Sequence, residues 1–155
     1  MGVEIERKFL IIGDYKHLAK EVDEISQGYL SLSNEQAVRI RVSGEKGYIT
    51  IKGMGNKTGV SREEWEYEIP VSDALELLRM CKNGIIRKNR YLIDFEGKTF
   101  EVDEFSGDNE GLVVAELELN SENEPFEKPS WLGREITGED KYYNLMLVKH
   151  PFKDW

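Results

Sequence analysis

Near the start of the chain stands Glu4-Ile5-Glu6-Arg7-Lys8-Phe9, and this stretch decides how the rest of the sequence is interpreted. Side chains two residues apart share one face of a β-strand, so both glutamates and the lysine would project together. Ile5 and Phe9 would project to the other side. Most alternating patterns of this kind mark a half-buried strand whose polar face meets water. The pattern of the other strands decides whether this polar face meets water or lines a binding site.

Alternation recurs along the chain and predicts seven further strands, at about 26–32, 36–43, 48–52, 62–69, 86–95, 98–105 and 112–119. Helical spacing of apolar residues predicts three amphipathic helices, at 14–22 with Asp14 as N-cap, at 73–82 with Ser72 as N-cap, and at 139–148. Short glycine-containing connections indicate antiparallel pairing in a sheet large enough to close. With 155 residues, we expect one α+β domain: a closed eight-stranded antiparallel barrel with about three flanking helices.

Composition excludes several classes of function. The net charge of −9 predicts a protein that binds neither nucleic acid nor an anionic membrane. His17 and His150 are the only histidines and lie far apart in sequence, which argues against a zinc site or histidine catalysis. The single Cys81 excludes an internal disulfide and is expected to be a small core residue in a reducing compartment. We find no apolar run of roughly 20 residues and no signal peptide, so we expect a cytoplasmic protein.

The charged faces of these strands carry like charges two residues apart rather than the mixture typical of a solvated surface. Such pairs repel one another unless an ion of opposite sign lies between them. A closed eight-stranded barrel has room inside for one small ligand, and its apolar outer face would need cover from the helices and from a homodimer partner. The charged positions assigned to the inner face are Glu4, Glu6, Lys8, Arg39, Arg41, Lys52, Glu64, Glu66, Glu68, Lys88, Arg90, Glu101, Asp103, Glu116 and Glu118.

The two kinds of pair suit two kinds of ligand. Glu4 with Glu6, and Glu116 with Glu118, suit Mg²⁺ or Mn²⁺, because these hard cations prefer oxygen ligands. The basic pairs suit phosphate oxygens, because a guanidinium group matches two oxygens and a lysine acts as a point charge. The basic residues concerned are Arg39, Arg41, Lys52, Lys88 and Arg90.

The order of these motifs resembles the CYTH family, the triphosphate tunnel metalloenzymes. The resemblance runs from Met1 to Asn144, and six motifs in the same order make it specific. The motifs are Glu4-Ile5-Glu6-Arg7-Lys8, Arg39-Ile40-Arg41, Thr50-Ile51-Lys52-Gly53, Arg87-Lys88-Asn89-Arg90-Tyr91, Val102-Asp103-Glu104-Phe105 and Ala115-Glu116-Leu117-Glu118.

The resemblance implies an eight-stranded tunnel that binds a triphosphate compound together with Mg²⁺ or Mn²⁺. It implies metal ligands at Glu4, Glu6, Glu116 and Glu118, and phosphate ligands at Lys8, Arg39, Arg41, Lys52, Lys88 and Arg90. Asp103 is a second-choice metal ligand, and Glu66 is, like Asp103, a second choice for the acidic lining. Arg134 and Lys141 lie in further stretches similar to the family, where they could add positive charge at a tunnel mouth or be ordinary surface residues.

The leading hypothesis is metal-dependent hydrolysis of inorganic tripolyphosphate, or a related triphosphate, because the chain resembles the small bacterial inorganic triphosphatases. Water is the expected nucleophile, oriented by a second metal or by Lys8. Tyr29 has inward parity on the second strand and could support Lys8 by a hydrogen bond, although a tyrosine in a barrel wall also serves as packing. The alternatives are an adenylate cyclase, a thiamine or nucleoside triphosphatase of the same family, and a non-catalytic triphosphate sensor.

Two stretches imitate other kinds of site. Residues 53–59 contain glycines and a lysine but lack the spacing and following helix of a phosphate-binding loop, so we expect a hairpin loop. Trp65 and Tyr67 alternate with glutamates, which favours packing beneath a helix over stacking on a nucleic-acid base.

Overall fold

A computed structural model describes residues 2–33, 36–55 and 60–155, apart from the side chains of Leu32 and Met54. Within these residues nine strands form one antiparallel sheet: β1 Gly2–Ile11, β2 Glu21–Leu32, β3 Ala37–Ser43, β4 Lys46–Gly55, β5 Ser61–Ile69, β6 Ile86–Phe95, β7 Lys98–Phe105, β8 Val113–Glu118 and β9 Leu132–Glu135. The two α-helices of the described chain are α1 Val71–Leu78 and α2 Asn144–Lys149. Short 3₁₀ turns lie at Lys16–Leu18, Gly107–Asn109, Asp140–Tyr142 and Phe152–Asp154.

Eight of the strands close into a barrel. Their order is β5-β4-β3-β2-β6-β7-β8-β1, and the ring closes where residues 2–5 of β1 pair with residues 61–64 of β5. The expected closed antiparallel barrel in an α+β chain is therefore confirmed. The ninth strand was not expected from the sequence. It pairs with the end of β1 outside the ring, and its four residues are too few for an alternating pattern to be recognised.

The first expected helix is wrong. Residues 16–18 form only a 3₁₀ turn, and β2 already begins at Glu21, where a helix at 14–22 was expected. Pairing with β6 decides the conformation, because residues 21–27 run antiparallel to residues 86–92 along their whole length. The last expected helix is shorter than 139–148, since Tyr143 has extended dihedral angles (φ −69°, ψ 137°) between a 3₁₀ turn and α2.

Helix α1 covers the outer face of β2, β3 and β4. It begins at Val71, after Pro70, and the expected Ser72 cap is absent. The helix approaches closely because a Cβ atom on Gly47 would lie 2.7 Å from the Cβ of Ala74. Cys81, at the end of this segment, is a buried free thiol, as expected for a core residue.

The expected packing of Trp65 and Tyr67 beneath a helix is wrong. Both residues lie on β5, whereas α1 lies over β2, β3 and β4. Tyr67 is 58% exposed. Of the loop expected at 53–59, residues 56–59 lie outside the described part of the chain.

The protein has two apolar clusters, one that covers the outside of the barrel and one that fills the barrel at one end. The first lies on the outer face of β1, β6, β7 and β8, where the segment around Phe126–Leu132 covers Phe9, Phe100 and Leu117. The second contains inward positions of three strands, packed against residues of the C-terminal segment. Its members are Ile86, Phe105, Leu112, Val114, Ile136, Tyr142 and Leu147. That end of the barrel is therefore apolar, and the charged side chains occupy the remainder.

None of the helices among the described residues is long and apolar enough to cross a membrane.

Candidate active site

The charged inner faces of the strands surround one cavity of about 520 Å³. Among the residues that the structure describes, seven cationic side chains line it: Lys8, Arg39, Arg41, Lys52, Arg62, Lys88 and Arg90. Seven acidic side chains line it as well: Glu4, Glu6, Glu64, Glu66, Glu101, Glu116 and Glu118. The formal charges of this lining balance, so an added polyanion would need its own counter-charge.

The acidic residues form a continuous wall on neighbouring strands. Glu6 stands opposite Glu118 in the β1–β8 pairing, and Glu116 stands opposite Glu101 in the β7–β8 pairing. Burial, together with the charges of Glu116 and Glu4, raises the pKa of Glu6 to about 8. Glu6 therefore keeps a proton near neutral pH, mainly because it is buried and also because it lies beside other carboxylates.

Lys8 lies within the acidic wall. Its ammonium group donates to Glu116 at 2.9 Å and lies 3.2 Å from Glu6. Burial lowers the pKa of Lys8, but the charges of Glu116 and Glu6 outweigh burial and raise it above its ordinary value. Lys8 is therefore a permanent cation and not a proton acceptor.

Tyr29 lines the cavity, but the expected hydrogen bond to Lys8 is not formed among the described residues. Tyr143, which the sequence reasoning missed, lies over Lys8, with its ring centre 5.6 Å from the ammonium nitrogen. Burial raises the pKa of Tyr29, so its hydroxyl stays protonated near neutral pH.

Glu4 is bound by cations of two other strands. Lys52 Nζ donates to both carboxylate oxygens, at 3.0 and 2.8 Å, and Arg62 Nε lies 3.4 Å away. Burial raises the pKa of Glu4, but Lys52 and Arg62 outweigh it and hold the value at about 2. Arg62 was missed at the sequence level, although it shares the inward parity of Glu64 on β5.

The basic pair on β6 is anchored by Asp103. Lys88 donates to this carboxylate at 2.6 Å, and Arg90 forms two hydrogen bonds with it, at 2.8 and 2.9 Å. Arg90 also donates to Glu101 at 3.0 Å. Asp103 is fully buried and is not part of the cavity lining, which corrects its expected place as a second-choice metal ligand. Its oxygens are occupied by the two cations that it orients.

The basic pair on β3 is neutralised much less. Arg39 donates to Thr50 at 3.1 Å and lies 3.4 Å from Glu66, while its buried Nε has no hydrogen-bond partner. Arg41 donates from Nε to Gln27 at 2.9 Å. No carboxylate among the described residues lies within ion-pair distance of Arg41. Burial and the neighbouring guanidinium groups of Arg39 and Arg90 lower the pKa of Arg41.

The C-terminal segment supplies one side of the cavity through Tyr143, Asn144 and Leu145. Asn144 Oδ1 accepts hydrogen bonds from Gln27 Nε2 at 2.9 Å and from Lys88 Nζ at 3.0 Å. Sequence reasoning missed Asn144, because its neighbours at the site are more than 50 residues away and no local pattern connects them.

The expected cations of the tunnel mouth lie elsewhere. Arg134 is exposed, donates to Glu139 at 2.6 Å and does not line the cavity, which corrects its expected role in substrate binding. Lys141 lies over the ring of Trp155, 4.4 Å from its centre, and is also absent from the lining. Both behave as surface residues, the alternative left open by the sequence.

The acidic wall suits a hard divalent cation by its donor chemistry. Carboxylate oxygens are the ligands that Mg²⁺ and Mn²⁺ prefer, and burial together with the charges of Glu116 and Glu4 raises the pKa of Glu6, which a nearby cation would lower. Within the described residues no group of three acidic, histidine or cysteine side chains has metal-ligating geometry, since lysine and arginine occupy Glu4 and Glu116.

Both the sequence and the fold of this chain are similar to those of known proteins. A family model described as the CYTH domain matches residues 2–146. The inorganic triphosphatase of Acetivibrio thermocellus is 54% identical over 100% of this chain and 99% of its own length. The inorganic triphosphatase of Nitrosomonas europaea is 32% identical over 94% of this chain and 96% of its own. The crystal structure of an inorganic triphosphatase, 30% identical, superposes with a TM-score of 0.68 over 96% of this chain and 95% of that one.

Proposed function

This chain belongs to the CYTH domain family, and from that premise we propose that it hydrolyses inorganic triphosphate to diphosphate and phosphate inside the barrel. The observation that carries the proposal is the basic pair on β3. Arg41 has no carboxylate partner among the described residues, and the buried Nε of Arg39 has no hydrogen-bond partner. A positive charge that is withdrawn from water and is so little neutralised is costly unless an anion binds. Two relatives named inorganic triphosphatase support the choice of anion.

The reaction would depend on positioning and charge. The guanidinium groups of Arg39 and Arg41 would hold phosphate oxygens, and Lys8, a permanent cation, would stabilise the negative charge that develops during transfer. Water is the proposed nucleophile, and no covalent intermediate is required. A cavity closed at its apolar end would hold the chain of phosphates in one orientation, which lowers the entropic cost of reaction.

We further propose that Glu6 and Glu118, with Glu4 and Glu116, hold Mg²⁺ or Mn²⁺. A bound divalent cation would neutralise phosphate charge and help to orient the attacking water. The balanced charges of the lining support this proposal, because a triphosphate adds several negative charges that the seven cations, already faced by seven acids, cannot offset alone. Glu4 would be a metal ligand, and Lys52, which donates to Glu4 in this structure, would bind phosphate.

The alternative functions lack a specific contact in their favour. Binding a polyanion without turnover would favour fewer acids in the lining, which argues against a sensor. A cyclase or nucleoside triphosphatase needs groups that pair with the base, and the inward positions of the barrel strands carry mainly charged side chains. Trp65 and Tyr67 are also among the residues that line the cavity, although they have the outward parity of β5. A cytoplasmic location and a homodimer remain predictions.

A phosphate-release screen tests the proposed function. Purified protein is assayed with tripolyphosphate, ATP, GTP, thiamine triphosphate and long polyphosphate, each with Mg²⁺, with Mn²⁺ and with EDTA. Tripolyphosphate should have the highest kcat/KM, and EDTA should abolish release. Glu116→Gln should lose at least tenfold in rate, about 1.4 kcal/mol of transition-state stabilisation, and serves as the control for contaminating phosphatase. Activity undiminished by EDTA would overturn the metal proposal, and a higher kcat/KM for ATP would overturn the substrate.

A further inference from the structure

A continuous chain of hydrogen bonds links basic side chains of two strands through the C-terminal segment. Arg41 Nε donates to Gln27 Oε1 at 2.9 Å, and Gln27 Nε2 donates to Asn144 Oδ1 at 2.9 Å. Lys88 Nζ donates to the same Asn144 oxygen at 3.0 Å. Gln27 is fully buried, so its two hydrogen bonds cannot be replaced by bulk water.

The cations at the two ends fix the orientation of both amides. An arginine Nε and a lysine ammonium can only donate hydrogen bonds, so each must face an oxygen. Arg41 therefore orients Gln27, and Lys88 together with Gln27 orients Asn144, with Oδ1 towards both donors. The Nδ2 group of Asn144 is then turned away from Lys88 and Gln27. It has no hydrogen-bond partner among the described residues, and Asn144 lines the cavity.

We propose that Asn144 is a substrate-binding and positioning residue, which donates from Nδ2 to a phosphate oxygen while its Oδ1 positions Lys88 and, through Gln27, Arg41. The inference rests on the proposed function, because the ligand oxygens belong to the triphosphate. An amide suits this position because it accepts on one side and donates on the other. An aspartate would keep the acceptor but would turn a negative oxygen towards the phosphate.

Asn109 offers a matched control. This buried amide lies in the 3₁₀ turn at Gly107–Asn109, and its Oδ1 accepts from the backbone nitrogen of Phe152 at 2.8 Å. It therefore holds the same C-terminal segment by one amide hydrogen bond, but it does not line the cavity. A merely structural contribution of Asn144 should be reproduced by Asn109→Ala.

The test measures tripolyphosphate binding by calorimetry, with thermal melts of each variant to compare stability. Asn144→Ala should raise the Kd at least tenfold, equivalent to about 1.4 kcal/mol, and Asn144→Asp should raise it further. Asn109→Ala should lower the melting temperature but keep the Kd within twofold of wild type. Asn144→Asp preserves volume and the acceptor oxygen, so it decides the matter if the alanine variant does not fold.

The outcomes separate this inference from the proposed function. If wild type hydrolyses tripolyphosphate and Asn144→Asp binds it as tightly as wild type, the inference fails and the proposed function stands. If Asn109→Ala weakens binding as much as Asn144→Ala, the role of Asn144 is structural and the inference also fails. If wild type neither binds nor hydrolyses tripolyphosphate, both are overturned.

Discussion

The barrel contains two basic pairs that look alike in sequence and differ in structure. Arg39 and Arg41 on β3, and Lys88 and Arg90 on β6, are each two residues apart and face inward. The β6 pair shares the buried carboxylate of Asp103 through three hydrogen bonds of 2.6 to 2.9 Å. The β3 pair has one ion pair among the described residues, at 3.4 Å between Arg39 and Glu66, and its other hydrogen bonds go to the neutral side chains of Thr50 and Gln27.

The difference teaches that one charge pattern can serve two purposes. A cation with a buried carboxylate partner contributes to the folded state, and removing one member leaves the other charge stranded. A cation without such a partner is held at an electrostatic cost that only a ligand relieves. We therefore expect β6 to respond to mutation mainly in stability, and β3 mainly in binding.

The largest effect is expected for Arg90→Ala. Loss of this guanidinium removes two of the three hydrogen bonds that neutralise the buried Asp103 carboxylate and leaves it with Lys88 alone. The free energy of unfolding should fall by about 3 kcal/mol, measured by urea denaturation. Arg90→Ala combined with Asp103→Asn should recover part of the loss. An unchanged urea midpoint for Arg90→Ala would contradict the proposal that the β6 pair serves stability and the β3 pair serves binding.

Arg41→Ala should show the opposite behaviour. The loss of its hydrogen bond to Gln27 is offset by relief of repulsion from Arg39 and Arg90, so stability should stay within about 1 kcal/mol of wild type. Affinity for tripolyphosphate should fall tenfold to a hundredfold, about 1.4 to 2.7 kcal/mol. Calorimetry and thermal melts on the same samples measure both quantities. A large loss of stability with unchanged affinity would reverse the assignment.

Glu6 supplies the pH dependence. Its pKa of about 8 in the folded protein, against an ordinary value of 4.5, means that the folded state keeps a proton that the unfolded chain releases between these values. The free energy of unfolding of metal-free protein therefore falls as pH rises through this window. Glu6→Gln should be more stable than wild type at pH 8 by at least about 1.4 kcal/mol, the equivalent of one pKa unit, and the two should match below the ordinary pKa of 4.5.

A control for the Glu6 experiment is Glu68→Gln, on an exposed position of β5. This change should leave the pH dependence of stability as it is in wild type. Equal slopes for wild type and Glu6→Gln would show that the pKa of Glu6 is not raised in the folded protein.

The smallest effect is expected for Arg134→Ala. This side chain is exposed and pairs only with Glu139 among the described residues, and exposed ion pairs contribute little. The kcat/KM for tripolyphosphate should change less than twofold, measured beside wild type at equal protein concentration. A tenfold fall would restore Arg134 to the substrate-binding residues and extend the basic surface beyond β3 and β6.

The sequence predicted the barrel well because strand parity is a local property. Inward positions such as Glu4 and Arg39 follow from alternation alone. Partners across strands do not, because register and side-chain reach decide them, so Asp103 was expected near metal and lies beneath Lys88 and Arg90. The helix predicted at 14–22 was wrong for a related reason, because strand pairing with β6 outweighs the weak helical pattern of this segment.

Residues contributed from outside the strands were the least accessible to sequence reasoning. Asn144 reaches the site because Tyr142 and Leu147 pack into the apolar end of the barrel. The spacing of apolar residues in the sequence does not predict that contact. Arg62 could have been predicted from the sequence, because it shares the parity of Glu64 on a strand that was predicted. Conversely, Arg134 lies within a stretch similar to the family but is exposed to solvent.

The most direct test of the central claim is a competition followed by ³¹P NMR. Wild-type protein with Mg²⁺ is given equal concentrations of tripolyphosphate and ATP in one tube. The account predicts that the tripolyphosphate resonances disappear first, with diphosphate and phosphate formed in equal amounts while ATP persists. Consumption of ATP first, formation of cyclic AMP, or unchanged tripolyphosphate resonances would contradict it.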